Sequence, residues 1–430
     1  MTSHKLCNGV RRRDFLRAGA IGGLGLTLGD FLRFQAQAAP TTRAEHMIFV
    51  NLNGGPSHMD TFDLKPHAKV EHKGEFNPID TNVPGVQISE HLPKLAKCAD
   101  KYAILRGVSH SFAAHELGVR YMNSGNVPIT TIQFPSFGAV LTREKPTLPD
   151  LPPFVAVPST PQTSGYLGNE YAPMQTNAVP QIGKPFSVRG VTLGNGVTVT
   201  DLERREHLLQ DLDKAFTGYE KQNPLLSGLD RFAEQAHRIL TSSRTREAFD
   251  IDREAEPLRQ EFGNHAFGQS CLLAMRLIEA GVRVTTVGFG GWDTHADNFK
   301  LLKEQRLPQL DAGLAALFTN LEKRGLLSKT LVCVTGEFGR TPKINPKAGR
   351  DHWARAMFMV LAGGGIKGGR VIGASDDEGM GPKDQGFKPD DVAATLYHQL
   401  GVDHHTEYHT SIGRPIMVVR DGNILPEIIG

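Results

Sequence analysis

Continuous β-branched runs alternate in this chain with helical patterns closed by glycine. "FGQSCLLAMRLIEAG", Phe267 to Gly281, spaces its apolar residues as a helix does and feeds directly into "VRVTTVGF", Val282 to Phe289. The order returns where Asn298 to Gly325 reads as a long helix before "TLVCVTG", Thr330 to Gly336. Further apolar runs read as buried strands: "HMIFVNL" (His46 to Leu52), "YAILRG" (Tyr102 to Gly107), "FVAVPS" (Phe154 to Ser159), "AMFMVLAG" (Ala356 to Gly363) and "PIMVVR" (Pro415 to Arg420). Strands apolar on both faces, interleaved with helices, predict an α/β fold with a mostly parallel central sheet and helices on either side. In such sheets ligands bind beyond the carboxyl ends of the strands, so chemistry is sought in the residues just after each strand.

The 430 residues, 39% hydrophobic and 22% charged, suit a folded globular protein, and a net charge of +2 gives no electrostatic footprint for nucleic acid. The N-terminus has Arg11, Arg12 and Arg13 ahead of a weakly hydrophobic, Gly-rich stretch, and "AQAAP" places Ala36 and Ala38 in a small-x-small cleavage pattern. "RRDFLR", Arg12 to Arg17, looks like a twin-arginine signal. The expectation is a signal peptide over 1–38, export through the twin-arginine machinery, and a single domain over 39–430. That mature domain would be periplasmic or otherwise extracytoplasmic, with no membrane span. Cleavage would leave Cys98, Cys271 and Cys333, too widely spaced for a disulfide framework or a cysteine-zinc site. The stretch from about Pro146 to Pro224 is rich in Pro, Gly, Asn and Gln and reads as a loop-rich insertion near the site.

Four polar clusters fall at predicted strand ends. "NLNGGPSHMDTFD" brings Asn53, Ser57, His58, Asp60 and Asp63; "GGWDTHADN" brings Asp293, His295 and Asp297; "GEFGRTP" brings Glu337 and Arg340; "GRDHW" brings Arg350, Asp351 and His352. Carboxylates and imidazoles converging from several strand ends, without thiolates, suit one or two divalent ions such as zinc, manganese or calcium. Asp293 and His295, two apart in extended chain, point the same way. In "SHSFAAHELGVRYMNSG", His110 and His115 are further candidates, and a histidine at a helix start favours its neutral form, as ligand or nucleophile. Asp390 and Asp391 read as a helix start, and His404, His405 and His409 as a surface loop.

Together "LNGGPSHMDTFDLKP", "FGQSCLLAMRLIEAGVRVTTV", "GGWDTHADNF" and "GEFGRTPKINPKAGRDHW" resemble the bacterial domain of unknown function 1501 family of sulfatase-like proteins, over nearly all of the mature chain. More remotely the pattern is similar to the alkaline phosphatase and sulfatase superfamily. That resemblance implies an alkaline-phosphatase-like three-layer sandwich and hydrolysis of a phosphate or sulfate ester, on a small molecule or a polysaccharide. It puts Glu337 in the place of a metal-binding aspartate, Phe338 in that of a histidine ligand, Asn53 in that of the first-strand aspartate, and His115 at the nucleophile's position. The Cys/Ser-x-Pro-x-Arg motif of the sulfatases is absent.

The expected site has Asp293, His295, Glu337 and His352 as metal ligands, completed by Asn53, His58 or Asp60. Arg340 or Arg350 would clamp the tetrahedral anion, with Ser57 and His115 as competing nucleophiles. The rival expectation is a non-catalytic envelope or polysaccharide-binding protein on the same fold.

Overall fold

A computed structural model describes residues 44–191, 200–201, 204, 236–384, 386–410 and 413–429; the signal peptide expected over 1–38 lies outside the described residues. Eight strands form the central sheet: β1 (His46–Leu52), β2 (Tyr102–Val108), β3 (Phe154–Val157), β4 (Met174–Gln175), β5 (Val284–Phe289), β6 (Thr330–Thr335), β7 (Met357–Ala362) and β8 (Arg370–Ile372). Their spatial order is β8-β2-β7-β6-β1-β5-β3-β4, and β7 alone runs against the rest. Strand β1 lies at the centre, Met47 opposite both Val284 and Leu331. Its side chains alternate between two cores, Ile48, Val50 and Leu52 on one face and Met47 and Phe49 on the other. A strand buried on both faces has no polar side to show, which is why "HMIFVNL" reads as a continuous apolar run.

Helices α3 (Ala266–Ala280) and α4 (Leu307–Lys323) cover one face; α1 (His115–Ser124), α2 (Phe137–Glu144) and α5 (Pro389–Gln399) lie on the other. The result is the three-layer α/β sandwich expected. Helix α3 ends at Gly281, whose φ of 110° only glycine adopts without strain, and the chain turns at once into β5. The long helix predicted over Asn298 to Gly325 is interrupted: a helical turn at Asn298–Leu301 passes through a π-type turn at Leu302–Arg306 before α4. Pro308, without an amide proton and with a ring that crowds the preceding turn, accounts for that widening.

One expectation about a strand is corrected. "PIMVVR" does not enter the sheet; Pro415–Met417 pairs with Glu407–His409 in a separate two-stranded ribbon. The loop-rich stretch from about Pro146 carries the strand predicted at Phe154 as β3 and adds β4 at the edge of the sheet.

The reversed strand β7 positions two of the polar clusters. Between β6 and β7 the chain forms no helix, so it returns beside β6 in the antiparallel sense, which needs no crossover. Both ends of this connection therefore stand on the same carboxyl edge. "GEFGR" leaves β6 there and "GRDHW" enters β7 there. A ribbon in which Arg340 faces His352 and Gly339 faces Trp353 ties the two together.

Candidate metal centre

The turn after β1 depends on glycine. Gly54 has φ of 116°, and a Cβ there would lie 2.4 Å from the Asp293 backbone nitrogen. This close approach brings the loop after β1 against the loop after β5. The Gly54 amide donates to both Glu337 oxygens, at 2.9 and 3.2 Å, so the carboxylate after β6 is fixed by the backbone after β1. On the other side α1 packs closely because Gly118 has no side chain; a Cβ would sit 2.9 Å from the Glu337 carbonyl oxygen.

Three imidazoles and one carboxylate converge on this edge. His295 Nε2 and His352 Nε2 lie 3.0 Å apart, and each approaches Asp293 Oδ1, at 3.0 and 3.1 Å. His115 Nε2 reaches Asp293 Oδ2 at 3.4 Å. A tetrahedral zinc with bonds of about 2.0–2.1 Å has ligand atoms about 3.3–3.4 Å apart, close to these separations.

Each imidazole presents Nε2 to the cluster because an oxygen takes its other nitrogen. Nδ1 of His115 lies 2.6 Å from Glu337 Oε1, Nδ1 of His295 lies 2.7 Å from Asp351 Oδ1, and Nδ1 of His352 lies 2.8 Å from the Ala113 carbonyl oxygen. Oxygen acceptors on the far nitrogen are how proteins fix the tautomer and aim of metal-binding histidines. Donor types, spacing and outer partners all fit a divalent ion, and His115, Asp293 and His352 form a candidate metal-binding group. Phe338 is fully buried beneath it, its ring 5.0 Å from that of His115 and 4.5 Å from that of His352. Burial works against ionisation of Asp293, but the hydrogen bond and positive charge of Arg340 lead the effects that outweigh it and hold the carboxyl down at about 2.

The other expected site residues stand elsewhere or act differently. Glu337 does not point its carboxylate into the cluster; it supports His115 from behind. His58 is buried, and its Nε2 pairs with the Gly379 carbonyl at 2.9 Å. Asp60 takes a two-pronged bond from Arg350, Nε at 2.7 Å and Nη2 at 3.0 Å, and a third from Asn298 at 2.9 Å. Arg350 spends its remaining donors on the carbonyls of Thr341, Pro342 and His72, so it is a buried brace with nothing left for an anion. Arg340 gives four of its five N–H groups to the Gly54, Gly55 and Arg350 carbonyls and to Asp293. Neither guanidinium is placed as the expected clamp, because solvent reaches neither.

Ser57 is buried, and its hydroxyl has no partner among the described residues. The Asn53 amide lies against β5, 3.6 Å from where a Gly288 Cβ would be. His110 bridges backbone groups, its Nε2 2.8 Å from the Glu337 carbonyl and its Nδ1 accepting from the Phe112 amide. Burial pushes it down to about 4 against the pull of that carbonyl. Asp390 is buried against the Tyr121 hydroxyl. Sequence reasoning noted Asp351 only as a neighbour of His352. Its support of His295 depends on the reversal of β7, which spacing alone does not reveal.

The chain belongs to the family described as protein of unknown function (DUF1501), whose model matches residues 44–429. No curated protein matches it. Among solved structures it is similar to Ps i-CgsB in complex with k-i-k-neocarrahexaose, at 8% identity over 84% of this chain and 72% of that one, TM-score 0.35. A sulfatase of the glycosaminoglycan locus of Bacteroides thetaiotaomicron aligns at 13% identity over 83% and 73%, TM-score 0.35. The lipoteichoic acid synthase LtaP from Listeria monocytogenes aligns at 9% over 85% and 74%, TM-score 0.31. These likenesses are too distant to bear on activity.

Proposed function

We propose that this protein is an exported metal-dependent hydrolase of phosphate or sulfate esters. The observation that carries the reading is the convergence of three Nε2 atoms and the Asp293 carboxylate, each imidazole anchored through Nδ1. A set of three nitrogens and one carboxylate favours zinc or manganese over calcium, which prefers oxygen throughout. When bound, such an ion supplies polarisation of the ester oxygen and acidification of a water molecule. The chain's own residues do the rest. Glu337, Asp351 and the Ala113 carbonyl aim the imidazoles, and Arg340 keeps Asp293 ionised and oriented. Phe338 closes the floor against water. His115 has both nitrogens engaged, which supports a ligand role over that of nucleophile. Water is then the nucleophile this arrangement favours.

Export through the twin-arginine route rests on Arg12 to Arg17 and the Ala36-x-Ala38 pattern. No helix among the described residues is long and apolar enough to cross a membrane.

A second reading, a non-catalytic envelope or polysaccharide-binding protein, draws on both site guanidinium groups being buried and bonded within the fold. One experiment separates the two. Protein purified from the exported fraction is analysed for metal and assayed on aryl phosphate and aryl sulfate. Near-stoichiometric metal with turnover, both lost in Asp293→Ala, is the expected result. Metal without turnover of any ester favours the binding protein, and no metal defeats the hydrolase.

A further inference from the structure

Beside the metal centre, sharing His115, lies a cavity of about 370 Å³ between the outer face of α1 and the loops that carry Phe134 and Gln162. The volume is in the range of small-ligand sites. Its charges cancel: Glu116 and Arg120 are bonded to each other at 2.7 Å across one helical turn. What remains is neutral hydrogen-bonding chemistry on an apolar frame that includes Phe134 and Pro161.

Two lining groups are built in and unused. Gln162, 3% exposed, gives its amide hydrogen to Asn123 at 3.3 Å, while its carbonyl oxygen has no partner among the described residues. Ser136, 2% exposed, stands at the N-cap of α2, yet its hydroxyl makes no capping bond and no other among the described residues. N-cap serines ordinarily satisfy a helix amide, and buried polar groups are ordinarily paired. Two unpaired groups on one small cavity therefore point to a ligand that supplies the partners.

We infer that this cavity binds the uncharged polyol part of the substrate, a sugar ring or comparable polyhydroxy group, while its ester anion lies at the metal centre. The inference rests on the proposed hydrolase for the second half of that statement only. Carboxamides and a hydroxyl offer donors and acceptors together, which hydroxyl groups require. Phe134 and Pro161 suit the C–H faces of a ring. An anionic or cationic ligand finds no uncompensated charge here.

The test uses the metal-loaded mature chain and the variants Gln162→Leu and Ser136→Ala. The kcat/KM values for hexose phosphates and sulfates are compared with those for 4-nitrophenyl phosphate and sulfate. Each variant is expected to lower the sugar-ester value about tenfold more than the aryl-ester value, the worth of one neutral hydrogen bond. Parallel losses on both esters, or none on either, overturn the inference. If the wild type turns over neither ester, the hydrolase reading fails by itself. The cavity is then decided by saturation-transfer NMR with methyl hexosides and inositol. Contact signals weakened in both variants uphold it, and silence in the wild type overturns it.

Discussion

Asp60, in the loop after β1, and Asp293, in the loop after β5, stand on the same sheet edge and share the company of arginine and histidine. Asp60 is 1% exposed, and its oxygens are covered by Arg350 and Asn298. Asp293 keeps 46% of its side chain accessible and faces three imidazoles whose far nitrogens are all anchored. One carboxylate closes the edge and the other leaves it open. The difference lies in the partners: a two-pronged guanidinium covers the Asp60 carboxylate, whereas imidazoles turned by outer oxygens meet Asp293 through Nε2 and leave part of it open.

The largest expected effect breaks the closed half. Asp60→Ala leaves Arg350 charged, buried and short of its acceptor, at an expected cost of about 3–5 kcal/mol of folding stability. Urea unfolding of metal-free protein checks this, and pairing Asp60→Leu with Arg350→Met is expected to recover most of the loss. If Asp60→Ala keeps its stability and loses its metal, Asp60 is the ligand and Asp293 the brace. A smaller effect sharpens the open half. Asp351→Asn weakens the support of His295 and is expected to lower metal affinity about 10–100-fold. As an exposed change it should leave metal-free stability within about 0.5 kcal/mol. Competition against a chromophoric chelator reads the first and urea unfolding the second.

This contrast also marks how far the residues could be read in order along the chain. The parallel core was legible because β1, β5 and β6 are buried on both faces and carry no polar alternation. The edge that gathers the candidate site was legible for the same reason. Within it, spacing could not rank equal-looking residues. His58 and His352 each sit beside an aspartate or a methionine in a polar loop, and only their partners, Gly379 and Ala113, lying 321 and 239 residues away, separate a buried strut from an imidazole of the candidate metal group. Arginines hide their role in the same way. Arg340 and Arg350 resemble anion clamps in "GEFGR" and "GRDHW", but with no solvent contact they serve carbonyls and carboxylates of their own fold. His115 was placed by resemblance at a nucleophile's position, and the Glu337 contact on its Nδ1 is what recasts it as a ligand candidate.

A last prediction separates the frame from the site through acid stability. His265 caps α3, its Nδ1 accepting from the Gly268 amide at 3.0 Å, and its buried Nε2 has no partner among the described residues. Burial, helped by the charge of Lys94, pushes the imidazole down to about 4. Between the ordinary histidine value of 6.5 and 4, the unfolded chain therefore binds a proton that the folded chain refuses. The stability tied to His265 is complete above that window and is lost as pH falls through it, by at most about 1.4 kcal/mol per pH unit. His265→Asn keeps an oxygen for the cap and removes the proton. Urea unfolding of metal-free protein between pH 7 and 4 should then show a shallower acid loss, by on the order of 1 kcal/mol per pH unit. His110, also pushed down to about 4, works in the same direction, so His265→Asn flattens the profile only in part. An unchanged slope in the variant would mean that the buried imidazole is protonated in the fold, and that acid sensitivity belongs to the open edge instead.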